Sequence, residues 1–434
     1  MKRICSYLLL FLLVVPGYLA AQEQPLAFEG ATIIPIADNK IENGVLIVQN
    51  GKITDVGPAG EIDIPSNATV TDVAGKVIMP GLVDSHSHIG EGDGGDRSAA
   101  LHPDVRILDA IDPNSDTFRK ALAGGITSVN VLPGSGHLMS GRTAYLKLRE
   151  SDTIEGMLFV DDTSEEVAGG LKMANGTNPL GEGPFPGTRA KSAAMVRDLF
   201  VKAQEYKRKI EQADGDPEKM PARDLGMETL VEVLEGKRIV HNHTHRHDDI
   251  LTAIRLSKEF GYRLVLHHVS EAWKVADEIA EADVPSSIIV LDAPGGKLEA
   301  VDIRYDNGAK LEEAGATVGY HTDASITDTR LFLRSAAFGV RAGMSREAAL
   351  RAVTIENARM MDISDRTGTL EAGKDADFII LSGDPLSVYT KVEETWVEGV
   401  KRYDRDDPED RKYSTGGYEV FRGEFHDHHK FSRD

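Results

Sequence analysis

Val77-Ile78-Met79-Pro80-Gly81-Leu82-Val83-Asp84-Ser85-His86-Ser87-His88 is where the character of this sequence changes. Before Pro80-Gly81, short β-prone runs alternate with turn signals. After it, strand-like runs alternate with helical patterns, the order expected of parallel βα units. Leu82 to Ser85 reads as a strand, with His86 and His88 following at its carboxyl end. In a strand, residues i and i+2 point to the same face. The two imidazoles therefore aim into one space, which is what a shared metal ion needs. An H-x-H pair alone is a common surface feature; its place directly after Val83 gives it weight.

Three more clusters obey the same rule. His241-Asn242-His243-Thr244-His245 follows Ile239-Val240, and the same period puts three histidines on one face. His267-His268 follows Leu264-Val265-Leu266; adjacent residues face opposite ways, so only one of the pair points inward. His321-Thr322-Asp323 follows Val318 and puts a carboxylate at the end of the last strand. A lone histidine is more often a packed, hydrogen-bonded core residue. Four clusters at four strand ends read as a metal site instead, because the carboxyl ends of TIM-barrel strands carry the active site.

Candidate strands run over 82–85, 127–132, 144–148, 170–173, 238–243, 263–268, 286–291 and 316–321. Helical spacing over 248–259 and 272–282 separates several of them. Eight strands in about 280 residues fit a TIM (β/α)8 barrel with insertions. The third and fourth have no clear helix between them. The longest connection, 175–237, opens with a Gly-, Pro- and Asn-rich stretch over 176–187 and continues as a charged helix over 189–212. Placed after strand four, it is expected over the active-site mouth as a substrate lid, the alternative being a surface excursion. Ser345 is placed to cap a helix through Ala352.

β segments flank the barrel on both sides. Gly44-Val45-Leu46-Ile47-Val48, Asn50-Gly51 and Lys52-Ile53-Thr54-Asp55-Val56 read as a hairpin. After Asp365, Gly368-Thr369-Leu370 and the runs 376–381 and 394–403 return to β character. The expected division is an export signal over 1–21, one small discontinuous β domain from 22–80 and 365–405, and an α/β barrel over 81–364. A charged tail over 406–434 completes it, with His426, His428 and His429 read as solvated.

Over its 434 residues the chain has 49 Lys and Arg against 70 Asp and Glu, a formal net charge of −21. Such a balance disfavours nucleic acid, whose phosphates need a positive surface. Lys2, Arg3 and the apolar run from Tyr7 to Val15, then Pro16-Gly17 and Ala20-Ala21, read as a secretory signal cleaved near Ala21. An exported protein, periplasmic or extracellular, is expected. No later stretch is apolar enough to cross a bilayer, so no stable membrane anchor is expected. The single cysteine, Cys5, lies inside the signal, which leaves nitrogen and oxygen to hold any metal.

These motifs, in this order, resemble the amidohydrolase superfamily, particularly its imidazolonepropionase-like and prolidase-like members. The opening stretch resembles that family's first strand almost residue for residue. Gly124-Gly125-Ile126-Thr127-Ser128-Val129 is similar to its second strand, and Ala352-Val353-Thr354-Ile355-Glu356-Asn357-Ala358 to its C-terminal helix. Gly368-Thr369-Leu370-Glu371-Ala372-Gly373-Lys374-Asp375-Ala376-Asp377 is similar to its return into the β domain.

The resemblance implies His86 and His88 as ligands of one ion, His243 from strand five, and His268 rather than His267 from strand six. Asp323 matches the strand-eight aspartate that touches metal and shuttles a proton, so Asp323 and His268 are placed at the reacting atoms. Many relatives add a strand-four lysine, carboxylated to bridge two ions. Lys172 is the candidate, Lys147 the competitor, and an ordinary surface lysine the plain alternative for either. His321 departs from the small residue usual there; it shares the face of Asp323 and is expected to meet metal or substrate. His245 and His247 read as hydrogen-bonding support. His137, after Gly134-Ser135-Gly136, is placed to reach the pocket from a loop after strand two.

The implied cofactor is Zn2+ or another divalent metal, one or two ions, with Mn2+, Fe2+ or Co2+ also suited to imidazole and carboxylate. Such an ion lowers the pKa of its water from about 15.7 to about 7. Asp323 would take that proton and return it to a departing nitrogen. The expected substrate is a small-molecule amide: a cyclic amide, an N-acyl amino acid or a dipeptide-like compound. A mononuclear deaminase is the alternative enzyme, and a non-catalytic exported binding protein the alternative outside enzymes. A homo-oligomer is compatible with the sequence, which leaves the oligomeric state open.

Overall fold

A computed structural model describes residues 24–90, 92, 94–159, 169–289, 297–324, 326–416 and 420. The expected export signal and the three tail histidines, His426, His428 and His429, lie outside the described residues. Five strands come first: β1 (Leu26–Ile33), β2 (Ile41–Gln49), β3 (Lys52–Pro58), β4 (Thr69–Asp72) and β5 (Val77–Pro80). The turn between β2 and β3 is made by Asn50 and Gly51, at φ 52° and 74°. Two successive positive φ values are what a two-residue hairpin turn of the right twist requires.

The α/β part follows: β6 (Leu82–Ser87), β7 (Ile126–Val131), β8 (Met139–Arg142), β9 (Ala144–Lys147), β10 (Leu171–Ala174), β11 (Val240–Thr244), β12 (Leu264–His268), β13 (Ser286–Ile288) and β14 (Val318–Tyr320). Then β15 (Phe378–Leu381), β16 (Val392–Val397) and β17 (Val400–Asp404) return to the first sheet. β15 runs antiparallel to β5, Ile379 opposite Met79, so segments from both sides of the α/β part share one eight-stranded sheet. Phe28, Phe378 and Trp396 form its aromatic core, with ring centroids 5.0, 5.1 and 5.4 Å apart.

In the α/β part, β10 to β14 run parallel in sequence order, and β6 runs parallel to β7. Helices fill the connections. His247–Phe260, between β11 and β12, buries Ile250, Ala253, Ile254 and Ser257, a stripe at helical spacing. Ala276–Glu281 and Asn307–Glu313 occupy the next two connections.

The third strand departs from the expectation. β9 pairs antiparallel with β7, Leu146 opposite Val129, and β8 pairs antiparallel with β10, Gly141 opposite Lys172. Only residues 132–138 separate β7 from β8, whereas a parallel crossover needs a dozen or more. The chain can only turn back. Met139 to Lys147 thus joins a six-stranded sheet, β14-β13-β12-β11-β10-β8, to a three-stranded one, β6-β7-β9.

At the other seam, side chains join β6 to β14. Asn357 donates its Nδ2 hydrogens to the carbonyls of Val83 and Tyr320, both at 2.6 Å. Asp84 accepts from the backbone N–H of Thr322 at 3.1 Å and from its hydroxyl at 2.5 Å. The backbone N–H of Asp323 donates to the carbonyl of His86 at 2.9 Å. First and last strands are held in register at the point where the histidine clusters meet.

Two helices revise the sequence reading. The insertion helix Arg189–Ala213, capped by Thr188, is followed by a second, Leu225–Leu234, capped by Asp224. Phe200 stacks on Phe260 and Tyr262 at 5.1 and 5.0 Å, so the long helix lies on the flank of His247–Phe260. Part of the expected tail is also ordered: Pro408–Thr415 is a helix capped by Asp407, with Tyr413 buried and donating to Asp116 at 2.9 Å. Proline at the first helical turn and an apolar anchor in a charged run outweighed the composition.

Candidate metal centre

Same-face residues on a strand stand roughly 6.5 Å apart, so the three histidines of β11 form layers. His241 is deepest: its Nε2 is 2.9 Å from the Tyr145 hydroxyl and its Nδ1 2.9 Å from Nε2 of His267. His243 comes next, its ring centroid 4.2 Å from that of His268. His245, just past the strand, has Nδ1 2.8 Å from Oγ of Ser270.

Across from them, β6 and the turn after β14 bring His86, His88 and Asp323 together. Nε2 of His86 is 3.4 Å from Nε2 of His88 and 3.4 Å from Oδ1 of Asp323. His88 Nε2 is 3.0 Å from the same oxygen. Lys172, on β10, places Nζ 3.1 Å from His86 Nε2. His268 Nδ1 lies 3.9 Å from Asp323 Oδ2 and 3.3 Å from His321 Nε2. The structure thus gathers His86, His88, Lys172, His268, Asp323 and His321, and His243 and His245 adjoin through His268.

Both His267 and His268 face this space, which corrects the expectation that one would point away. Their ring centroids lie 4.8 and 4.9 Å from that of His86. Alternation fails because His268 and Val269 take positive φ, 71° and 38°, where β12 ends. Lys147 is elsewhere: fully buried, it meets Asp375, Asp377 at 3.0 Å and Glu398 at 3.4 Å. Among the described residues no hydrogen bond, ion pair or ring contact joins His137 to the cluster. It packs instead against His102 and Phe185, at 5.6 and 5.4 Å. His247 is likewise outside, with Nδ1 2.6 Å from Oε2 of Glu271.

Neighbours fix the orientation of the rings. Nδ1 of His88 donates to the Leu132 carbonyl at 2.8 Å, which turns Nε2 toward Asp323. His321 Nδ1 is 2.8 Å from Oγ of Ser287, which meets Oγ of Ser85 at 2.7 Å. Stacked on His86 at 4.8 Å and 18°, the His321 ring is held from two sides.

Burial dominates the electrostatics. It holds His86, His243, His267 and His268 well below the usual imidazole range, with neighbouring cations adding to the effect. Burial likewise takes His241, His245 and His321 to about 3. Neutral imidazole is the form that ligates metal. The Lys172 amine is pushed down to about 7, again chiefly by burial. Asp323 is lowered: burial opposes ionisation, but the His88 hydrogen bond and the nearby charges of His88, His321 and Lys172 outweigh it. Asp84 goes the other way, to about 7, because burial exceeds the hydrogen bonds from Thr322 and His86.

Does this donor set suit a divalent ion? His86, His268 and Asp323 each offer a ligand atom within 4.8 Å of the others, as do His86, His267 and His321, and also His243, His245 and Glu299. His86 Nδ1, His243 Nδ1, His245 Nε2, His267 Nδ1 and His268 Nε2 are buried with no hydrogen-bond partner. Each such atom costs about 1–3 kcal/mol in an interior without a compensating interaction. Neutral nitrogen and carboxylate oxygen, short of partners, are what Zn2+ and similar ions bind. The residues fit. Glu299 was not legible in the sequence, since no motif places its segment; His267 was hidden by strict strand alternation.

Comparison with known proteins agrees with this geometry. A profile described as "Amidohydrolase family" matches residues 303–403. Amidohydrolase tasK of Hapsidospora irregularis is 27% identical over 396 residues, 83% of this chain, which spans only 40% of that protein. An imidazolonepropionase of Rhizobium rhizogenes is 27% identical over 379 residues, covering 78% of this chain and 86% of its own length. The crystal structure of an amidohydrolase from Thermotoga maritima MSB8 superposes with a TM-score of 0.82 at 35% identity, over 88% of this chain and 100% of that one. Since that resemblance runs the full length of the Thermotoga protein, this chain belongs to the amidohydrolase family.

Proposed function

We propose that this chain is a metal-dependent hydrolase of an amide-type carbon–nitrogen bond in a small molecule. The observation that carries the reading is the position of Asp323, 3.0 Å from His88 and 3.4 Å from His86, at a strand end shared with Lys172 and His268. His86, His88, His268 and Asp323 would hold the ion, with His243 adjoining. Lys172, whose Nζ is 3.1 Å from His86 Nε2, would be a further ligand. When bound, a divalent ion supplies acidified water and polarises a carbonyl oxygen.

The residues then divide the remaining work. Asp323, kept ionised by His88, accepts a proton at its carboxylate and returns it to the departing nitrogen, which is too basic to leave unprotonated. His321, steadied by Ser287, faces His268 and is placed to hydrogen-bond a substrate carbonyl. An amine pushed to about 7 is about half uncharged at neutral pH, so its free form can add to carbon dioxide and lose a proton, giving a carbamate on Lys172. We further propose that β6 to β14 wrap into a (β/α)8 barrel, supported by the strand order and by the joints at Met139–Lys147 and Asn357. Export, to the periplasm or medium, is part of the proposal and rests on the Lys2–Ala21 sequence pattern.

The test joins metal content to turnover. Purified full-length protein, loaded with Zn2+ or Mn2+, is screened against N-acyl amino acids, cyclic amides and dipeptides. Hydrolysis that disappears on chelation and returns on reloading is the expected result. Ammonia release from aminated heterocycles instead would favour a deaminase. Full metal occupancy with no turnover in either screen would favour a binding protein.

A further inference from the structure

We propose that Lys297 selects the substrate: its ammonium receives a carboxylate carried by the amide. This assignment rests on the amide-hydrolase reading above and narrows it to anionic amides of the N-acyl amino acid kind. Lys297 opens the single-turn segment Leu298–Ala300, between β13 and β14. Leu298 is 91% exposed, whereas Glu299 and Ala300 are buried. Glu299 fastens the turn beside the centre. Its Oε2 accepts from the backbone N–H of Thr177 at 2.7 Å, at the start of the 175–237 insertion. A carboxylate oxygen of Glu299 also lies within 4.8 Å of a ring nitrogen on His243 and one on His245.

Two residues earlier in the chain, Lys297 is held at the same strand ends. Its charge acts on Lys172 of β10 and on His243 and His245 of β11, and the charge of Asp323, after β14, acts on it. A single cation coupled to three strand ends stands over the space they enclose. Among the described residues no hydrogen bond or ion pair engages it. The carboxylates that act on it are committed elsewhere: Glu299 to Thr177 and, at 3.5 Å, to Nη2 of Arg189, and Asp323 to His88 at 3.0 Å. Other cations nearby are also occupied. Arg189 donates from Nε to Asp249 at 2.9 Å, and Lys172 sets Nζ 3.1 Å from His86.

Lys297 is exposed, so a ligand can reach it, yet the surrounding protein lowers its pKa chiefly by burial. A partly desolvated ammonium without a counter-ion gains more from an arriving carboxylate than one in open water does. The chain as a whole, at a formal charge of −21, repels anions, so a local cation is what lets an anionic amide settle here. With its carboxylate at Lys297, such a molecule is kept off the ion-binding residues and its amide is turned toward Asp323.

Binding tests the assignment separately from turnover. Full-length Zn2+-loaded Asp323→Asn is titrated calorimetrically with a panel of N-acetyl amino acids and with the matching carboxamides, which lack the charge. The acids should bind about 10- to 100-fold more tightly than their carboxamides, the range for one hydrogen bond to a charged group. Adding Lys297→Met should bring that ratio to about one, and adding Lys297→Arg should keep most of it. Equal affinity for acid and carboxamide would overturn the assignment, as would no binding of any acid, or a preference that survives Lys297→Met. Circular dichroism identifies a variant that fails to fold, and Lys297→Gln then carries the decision. Chelator-sensitive hydrolysis of uncharged amides alongside any of those results leaves the hydrolase reading standing. Acid binding through Lys297 with no turnover by wild type keeps Lys297 in its role and defeats the hydrolase reading instead.

Discussion

Nζ of Lys172 lies 3.1 Å from Nε2 of His86, across the space between β10 and β6. Lys147, on β9 of the other sheet, is equally buried yet surrounded by the carboxylates of Asp375, Asp377 and Glu398. Two buried lysines thus have opposite surroundings. Burial favours the neutral amine of Lys172, against the pull of the Asp323 carboxylate.

Substitution separates their roles. Lys172→Ala should lower metal affinity at least about 100-fold, since it removes a group touching the ligands rather than one behind them. Intact-protein mass spectrometry of wild type should show the added mass of carbon dioxide, absent from the variant. Lys147→Met should leave metal content alone and lower stability. Unaltered metal affinity in Lys172→Ala would remove that residue from the centre.

Asp323→Asn keeps an oxygen ligand but cannot accept a proton. Metal content should stay near wild type while kcat falls about 10²- to 10⁴-fold, the range for losing a positioned acid–base group. Wild-type turnover by this variant would take Asp323 out of the proton-transfer role.

The site was legible where local periodicity decides geometry. His86 and His88 meet as a shared face predicts, their Nε2 atoms 3.4 Å apart, and Asp323 was marked by ending an apolar run. Three features were hidden, each for a physical reason. His267 faces the centre as well as His268, through a positive φ at His268 that no residue type signals. The third strand reverses because residues 132–138 are too few for a crossover, a matter of connection length rather than composition. Glu299 reaches His243 only through folding of a segment that carries no motif. Tyr413 shows the converse: one apolar side chain in a charged run sufficed to dock a helix against Asp116 and Arg119.

Asn357 holds the seam between β6 and β14 by two bonds from one amide, to Val83 and Tyr320. Gly319 leaves room for it, since a Cβ there would lie 2.1 Å from Asn357 Oδ1. Asn357→Ala strands two buried carbonyls and should cost about 2–4 kcal/mol. Because His86 and Asp323 sit on either side of that seam, metal affinity should fall about tenfold as well. Denaturant unfolding and metal titration measure the two effects. Wild-type values in both would mean that the Asp84–Thr322 and Asp323–His86 hydrogen bonds alone set the register.

The Asp375 cluster predicts how stability depends on pH. Burial opposes ionisation of Asp375, but Lys147, Lys52 and Arg366 overcome it and bring the carboxyl from 3.8 to about 2. A group whose folded pKa is depressed binds its proton more readily in the unfolded chain. Its contribution is therefore fully present above about 4 and is lost as pH falls through about 2. Asp375→Asn leaves Lys147 with Asp377 at 3.0 Å as its nearest remaining partner. The loss at neutral pH should be about 3 kcal/mol, the lower end for breaking a buried pair. The gap between wild-type and variant melting temperatures should narrow from pH 4 to pH 2, read by thermal unfolding in low-salt buffers. A gap that stayed constant across that window would show that the charge of Asp375 contributes nothing to stability, and that Lys147 is held by Asp377 and Glu398 alone.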